Sequence, residues 1–253
     1  MPKQIVIIGC SWSKDGTWHG YKWELGKTYC WPELLAQDLG EDWQVINVSM
    51  NGSSNAMILH LTERLLRDFD DADLFILQFT RPLRVTFTKS WQHLSDLSNW
   101  DNLRTSAHGD HTPSTYRELP YYQGSDAWEY NEVGFMPAWP GKLSQKGSGI
   151  MKTVYEHMLL HDSFHQKISD KIGQEALMRH AILLCNRANM PVVAYSHAYY
   201  ELMNSDMLDF IVERDFTEME DYCVDNGLHL NTQGNRILVD RFIRPCIDTK
   251  ISV

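Results

Sequence analysis

The 253-residue chain predicts an α/β fold of three layers, with helices covering both faces of a central parallel sheet. Three observations lead there. Short, β-branched apolar runs suit strands buried on both faces. Stretches of helical apolar spacing separate them, and the connections between them are short.

The elements follow in order. "KQIVIIG" stops at Gly9 and reads as the first buried strand. "WPELLAQDLG" has Pro32 near its start, apolar residues three to four apart and Gly40 at its end, which is the pattern of a short helix. "WQVINVSMNGSSN" is a second strand running into a small polar turn, where Ser53, Ser54 or Asn55 caps the next helix. In that helix, "AMILHLTERLLRDF", Ile58, Leu61, Leu65 and Leu66 share one face. "ADLFILQFT" is a third buried strand, so the amino-terminal part reads β-α-β-α-β. Functional residues are then expected where the strands end at their carboxyl edges.

From about 85 to 150 the periodicity fades into a stretch rich in Trp, Tyr, His, Ser, Gly and Pro. It is too aromatic for a disordered linker and too long for an ordinary connection, so it reads as an ordered, irregular insertion within a single domain spanning 1–253. Its rings, among them Tyr116, Tyr121, Trp128 and Trp139, suit a carbohydrate-binding wall or a packed cover at an edge or oligomer contact. Helical spacing returns over about 150–161 and 169–188, and "MPVVAYSH" is a fourth parallel strand. Residues 199–212 read as helical, "FTEMEDYCVDN" contains a short helix, and a terminal helix starts near Asn231 or Thr232 and stops at Pro245.

Composition removes several function classes. The formal charge is −10, with 33 acidic against 23 basic side chains and no basic stripe, which disfavours a nucleic-acid partner. No run approaches the ~18 apolar residues of a membrane span, and no secretory signal is visible. No membrane partner is expected, and the default location is cytoplasmic, with virion association as the alternative. Five cysteines without a C-x-x-C pair read as reduced small hydrophobes. His157, His161 and His165 recur every four residues, and His108, Asp110 and His111 cluster, but neither group has a familiar zinc spacing. The first strand leads to "GCSWSKDG", not to a G-x-G-x-x-G fingerprint. No metal and no cofactor is expected.

What remains is nucleophile chemistry. A strand followed by a sharp turn sets Ser11 at the carboxyl edge of the sheet, where surrounding backbone amides converge. A serine hydroxyl needs a base, and His229 in "VDNGLHLNTQGN" lies in a loop just before the last helix. Asp225 and Asn226 are near enough in sequence to offer an acceptor that fixes the useful tautomer.

Together, "IVIIGCS", "VINVSMNGSSN" and "NGLHLNTQGN" resemble the SGNH/GDSL hydrolase superfamily, and more narrowly a divergent branch, common in phage and environmental sequences, that opens with a Gly-Cys-Ser turn. The resemblance covers about 1–81 and 165–245 and implies a flavodoxin-like sheet. It implies Ser11 as nucleophile, His229 as general base, and the Ser11 and Gly52 amides as oxyanion donors, with Asn51 beside them as a substrate-binding candidate. Where the family has Gly-x-Asn-Asp this chain has "LQFTRPLR", so Thr80 or Arg81 stands in for the third donor. The family's acidic slot, three residues before the histidine, holds Asn226. Asp225 precedes it and is preferred as the only carboxylate immediately at hand.

The implied activity is hydrolysis of a short acyl ester such as an acetyl ester, on a small molecule or a glycan, through an acyl-enzyme on Ser11. An O-acyltransferase using the same serine, and an inactive binding or structural protein of the same fold, are the alternatives. A homo-oligomer is left open.

Overall fold

The computed structural model describes residues 2–13, 29–49, 53–80, 114–118, 164–197, 205–223 and 229–251. Among these described residues, six strands form one sheet: β1 (Lys3–Ile8), β2 (Trp43–Asn47), β3 (Leu74–Phe79), β4 (Tyr116–Glu118), β5 (Val192–Ser196) and β6 (Phe210–Ile211). Their order is β4-β2-β1-β3-β5-β6, and every pairing is parallel. Ile5 of β1 stands opposite Val45 on one side and Leu74 on the other, which sets the central register. The predicted α/β class and the parallel sheet are therefore present.

Alternation along the strands divides the core into two layers. Val6 and Ile8 of β1 pack with Phe75, Leu77 and Phe79 of β3 beneath α2 (Asn55–Asp68) and α3 (Phe164–Arg187). On the opposite face Ile5, Ile7, Leu74 and Ile76 meet α1 (Trp31–Leu39) and the carboxyl-terminal helices. All of these strand side chains are fully buried. Each large aliphatic side chain so placed contributes about 1.5–3 kcal/mol of burial, and both faces are needed to hold the sheet.

The helix starts follow the sequence rules. Pro32 sits in the first turn of α1, where its missing N–H is no loss. Ser54 caps α2 by accepting from the Met57 amide at 3.3 Å, and Ile58, Leu61 and Leu65 of that helix are fully buried.

Three elements depart from the sequence reading. Of the stretch expected as helix over 199–212, residues 199–204 lie outside the described residues, and the remainder holds a 3-10 turn, Ser205–Met207, and the edge strand β6, followed by α4 (Val212–Asp215). Phe210 and Ile211 pair with Tyr195 and Ser196 of β5, and tertiary pairing of two apolar residues outweighs the local helical spacing. The terminal helix does not stop at Pro245. It runs as α5 (Thr232–Leu238), a π turn (Val239–Ile243) and α6 (Arg244–Ile251). Pro245 lies directly after the π turn, at the start of α6, where the ladder is reset and a residue lacking an N–H is tolerated. Within the region read as an irregular insertion, Tyr116–Glu118 forms β4, paired with β2. Most of the remainder of 85–150, and the helix expected over 150–161, lie outside the described residues.

Candidate active site

The strand order reverses across β1, which has β2 on one side and β3 on the other. In open parallel sheets that reversal opens a crevice beyond the carboxyl ends of the strands. Among the described segments that end there are the turn after β1, Thr80 after β3, and His197 after β5.

After Gly9 and Cys10 the chain tightens into a 3-10 turn over Ser11–Ser13, closed by the Ser13 amide donating to the Cys10 carbonyl at 2.9 Å. Ser11 is on this turn, with its side chain outside the described residues. The first amides of such a turn have no partner within it. Successive side chains of a 3-10 turn step by about a third of a revolution. Trp12 and Ser13 accordingly enter different environments.

Ser13 is buried in a polar network under the turn. Its hydroxyl donates to Gln78 Oε1 at 2.5 Å and accepts from Trp31 Nε1 at 3.1 Å. Gln78 Oε1 also accepts from the Cys10 amide at 3.1 Å, and Gln78 Nε2 meets Cys10 Sγ at 3.3 Å. Asn47, ending β2, donates to the Ser13 carbonyl at 2.6 Å and to the Tyr116 hydroxyl at 2.9 Å. Its Oδ1 accepts from the Ser49 amide at 3.1 Å. The turn is thus bonded to β2, β3 and α1 at once, and it reaches the edge strand β4 through Asn47 and Tyr116. Buried polar groups linked in this way hold one geometry, because any displacement strands a donor in a low dielectric. Gly9 belongs to the same construction: a Cβ there would lie 2.5 Å from Gln78 Oε1 and 2.9 Å from Ser13 Oγ.

Trp12, only 7% exposed, leaves the turn in another direction. Its indole contacts the His197 imidazole, with centroids 3.4 Å apart, and stacks on the His229 imidazole with centroids 6.0 Å apart and planes at 29°. His197 is buried, and its Nε2 lies 3.8 Å from Glu213 Oε1 on α4. Its backbone is held too: the His197 amide donates to the Phe79 carbonyl at 3.1 Å, and its carbonyl accepts from the Glu213 amide at 3.1 Å.

The loop of His229 is built by the residues that follow it. Leu230 pairs with Cys223 in an antiparallel bridge, and the Asn231 amide donates to the Tyr222 carbonyl at 2.7 Å. Asn231 caps α5 by accepting from the Gly234 amide at 2.8 Å. Asn235 donates back to the Leu230 carbonyl at 3.3 Å and to the Tyr29 carbonyl at 3.1 Å. At Gly234 a Cβ would lie 2.7 Å from Tyr222 Cβ and 2.9 Å from Leu230 Cδ2. "HLNTQGN" is therefore a cap, a close approach and a back-reaching amide that together place a half-buried His229.

Thr80 is fully buried, and its backbone is gripped by the Asn55 amide group: Oδ1 accepts from the Thr80 amide at 2.9 Å and Nδ2 donates to its carbonyl at 3.2 Å. Its Oγ1 is buried and has no hydrogen-bond partner among the described residues. The other residues singled out from the sequence, Asn51, Gly52, Arg81, Asp225 and Asn226, lie outside the described residues. So do His157, His161, His108, Asp110 and His111, and of His165 only the backbone, in α3, is described. All five cysteines are free thiols, with Cys10, Cys30 and Cys185 buried. No described helix is long and apolar enough to cross a membrane.

Sequence reasoning did not single out Trp12, Ser13, Gln78 or His197. One signal was present: Gln78 interrupts the apolar run "LFILQF", and a polar side chain inside a strand buried on both faces needs partners.

No protein-family model matches the chain. No curated protein matches it either. Among solved structures it is similar to the psychrotrophic esterase EstA from Pseudoalteromonas sp., in a structure inhibited by monoethylphosphonate, with 14% sequence identity, 99% of this chain and 97% of that chain covered, and a TM-score of 0.43.

Proposed function

We propose that the protein is a serine esterase in which Ser11 attacks the ester carbonyl and His229 is the general base. One observation carries the reading: Trp12, the residue after Ser11, stacks on His229, so the turn that ends β1 and the loop that precedes α5 meet although 217 residues separate Trp12 from His229 in the chain. The rigid network beneath Ser13 and Cys10 supports it, since a nucleophile has to be presented in one geometry.

In the proposed cycle His229 takes the Ser11 hydroxyl proton as Oγ bonds to the acyl carbon. The Ser11 amide holds the developing oxyanion, with the Gly52 amide and the Thr80 hydroxyl or Arg81 as further donors. Collapse of the tetrahedral species breaks the bond to the alcohol oxygen, which receives the proton from His229. Water, deprotonated by His229, then releases the acid and returns Ser11. Asp225 or Asn226 is the proposed acceptor for the second imidazole nitrogen. The substrate class is a short acyl ester on a small molecule or glycan.

The test is turnover of p-nitrophenyl acetate together with covalent labelling by an organophosphonate, in wild type and in Ser11→Ala. Labelling at Ser11 by mass spectrometry, with turnover lost in a folded Ser11→Ala, is the expected result. Folded wild-type protein that takes no label from probes of several sizes would leave a non-catalytic binding protein instead.

A further inference from the structure

Trp12 offers more than proximity, because its single indole ring touches two imidazoles that arrive from different parts of the fold. His197 comes from the end of β5 and His229 from the loop before α5. The two contacts differ in character. His197 is buried, backbone-bonded to Phe79 and Glu213, and its ring stands at van der Waals distance from the indole. His229 is half-buried and more loosely stacked. A rigid histidine, a buried indole and a less buried histidine therefore form a chain of contacts that ends on the side chain proposed to move protons.

We infer that Trp12 is a positioning residue for His229, and that His197, held through its backbone by Phe79 and Glu213, positions Trp12. The inference rests on the esterase reading only for its catalytic consequence, since the positioning itself is a property of the folded chain. A general base has to keep its ring within hydrogen-bond reach of the hydroxyl it deprotonates, and a loop histidine turns about two side-chain torsions unless something stops it. Carboxylate partners usually supply that restraint from the far nitrogen. Here a flat, buried aromatic surface supplies a restraint on the ring plane. Its anchor does not depend on the loop itself, because Trp12 is fixed by the same 3-10 turn that carries Ser11. Nucleophile and base are thereby referred to one rigid element, and relative drift between them is reduced.

His197 gains a role in the same arrangement. The hydrogen bond between the Glu213 amide and the His197 carbonyl ties the His197 backbone to α4, and Glu213 Oε1 lies 3.8 Å from the imidazole Nε2. Its duty is to support the indole.

The experiment reads His229 directly. Imidazole resonances of the full chain are recorded by 1H–13C NMR, with the His229 signals identified by their loss in His229→Gln. An indole stacked on the ring displaces these signals by its ring current. Trp12→Leu is expected to remove that displacement and Trp12→Phe to keep most of it. Unchanged His229 resonances in folded Trp12→Leu overturn the inference, whatever the activity. Should Trp12→Leu fail to fold, Trp12→Phe and the His197 variants carry the test through the same signals.

Turnover gives the second readout. Trp12→Leu is expected to lower kcat about 10–100-fold with KM little changed, the size of effect that follows from misplacing a catalytic group by about an ångström. His197→Ala is expected to show a smaller loss in the same direction, recovered in His197→Phe, which restores an aromatic ring against the indole without ring nitrogens. If His197→Phe is as inactive as Ser11→Ala, His197 itself moves the proton and the positioning assignment is overturned. If Ser11→Ala abolishes turnover while Trp12→Leu keeps wild-type kcat, the esterase reading stands and the inference falls. If Ser11→Ala leaves turnover intact, the esterase reading falls, and the NMR displacement alone decides whether Trp12 orients His229.

Discussion

The Ser13 hydroxyl lies 2.5 Å from Gln78 Oε1, so the turn that carries Ser11 is bonded to the interior of β3 rather than resting on the sheet edge. The same oxygen accepts the Cys10 amide. Gln78→Leu leaves both donors buried without that acceptor, at about 1–3 kcal/mol for each. Unfolding in urea is expected to show stability lowered by about 2–6 kcal/mol with an unchanged m-value. A midpoint equal to wild type would mean that the network is not what holds the turn.

Gly234→Ala tests the tail loop. The added Cβ meets Tyr222 Cβ at 2.7 Å and the Leu230 side chain at 2.9 Å, and both belong to the segments that frame His229. Overpacking of this kind costs about 1–3 kcal/mol and is relieved by moving the backbone. A lower melting temperature, with changed His229 NMR signals, is the expected pair of results. A substitution without effect on either would show that the loop has room to spare.

Thr80 has a buried hydroxyl with no partner among the described residues, at the carboxyl end of β3 beside the crevice. If it donates to the oxyanion, Thr80→Val lowers kcat by about a hundredfold or more. Stability should be unchanged or slightly higher, since an unsatisfied buried hydroxyl is removed. Wild-type kcat in Thr80→Val would assign the oxyanion to other donors.

Asp215 gives a pH prediction. Hydrogen bonding to the Arg214 guanidinium holds its carboxyl below the usual range, outweighing the cost of burial, and the Ile211 amide adds a further lowering. A carboxyl depressed on folding contributes stability above its unfolded value of about 3.9, and that contribution is lost as pH falls through the lower folded value. Asp215→Asn should therefore melt below wild type at pH 7, with the gap closing only in acid. The melting difference measured against pH checks this, and a gap independent of pH would refute it.

Much of the architecture was legible in the chain. The runs "KQIVIIG", "WQVIN" and "LFILQF" announce strands because a strand buried on both faces is apolar at most of its positions, with a buried polar residue such as Gln78 as the exception that needs partners. Ser54 and Asn231 mark helix starts because an exposed first turn needs a local acceptor. Phe210–Ile211 was misread as helix because two residues carry no usable period, and only their partner β5 makes them a strand. Pro245 was misread as a stop because a π turn is a consequence of packing and leaves no local signature.

The candidate site divides in the same way. Sequence alone determined that a serine follows the first strand, that a histidine precedes the last helix, and that a parallel sheet would deliver strand ends to a common edge, since each of these depends on nearest neighbours and on the handedness of the chain. Tertiary structure alone decided that Trp12 joins His229 to His197, and that Gln78 fastens the turn carrying Ser11 from below. Those contacts link residues 185 and 217 positions apart along the chain for the indole pairs and 65 apart for Ser13 and Gln78, and no local preference encodes such distances. They arise where the close packing of the core leaves particular side chains facing one another.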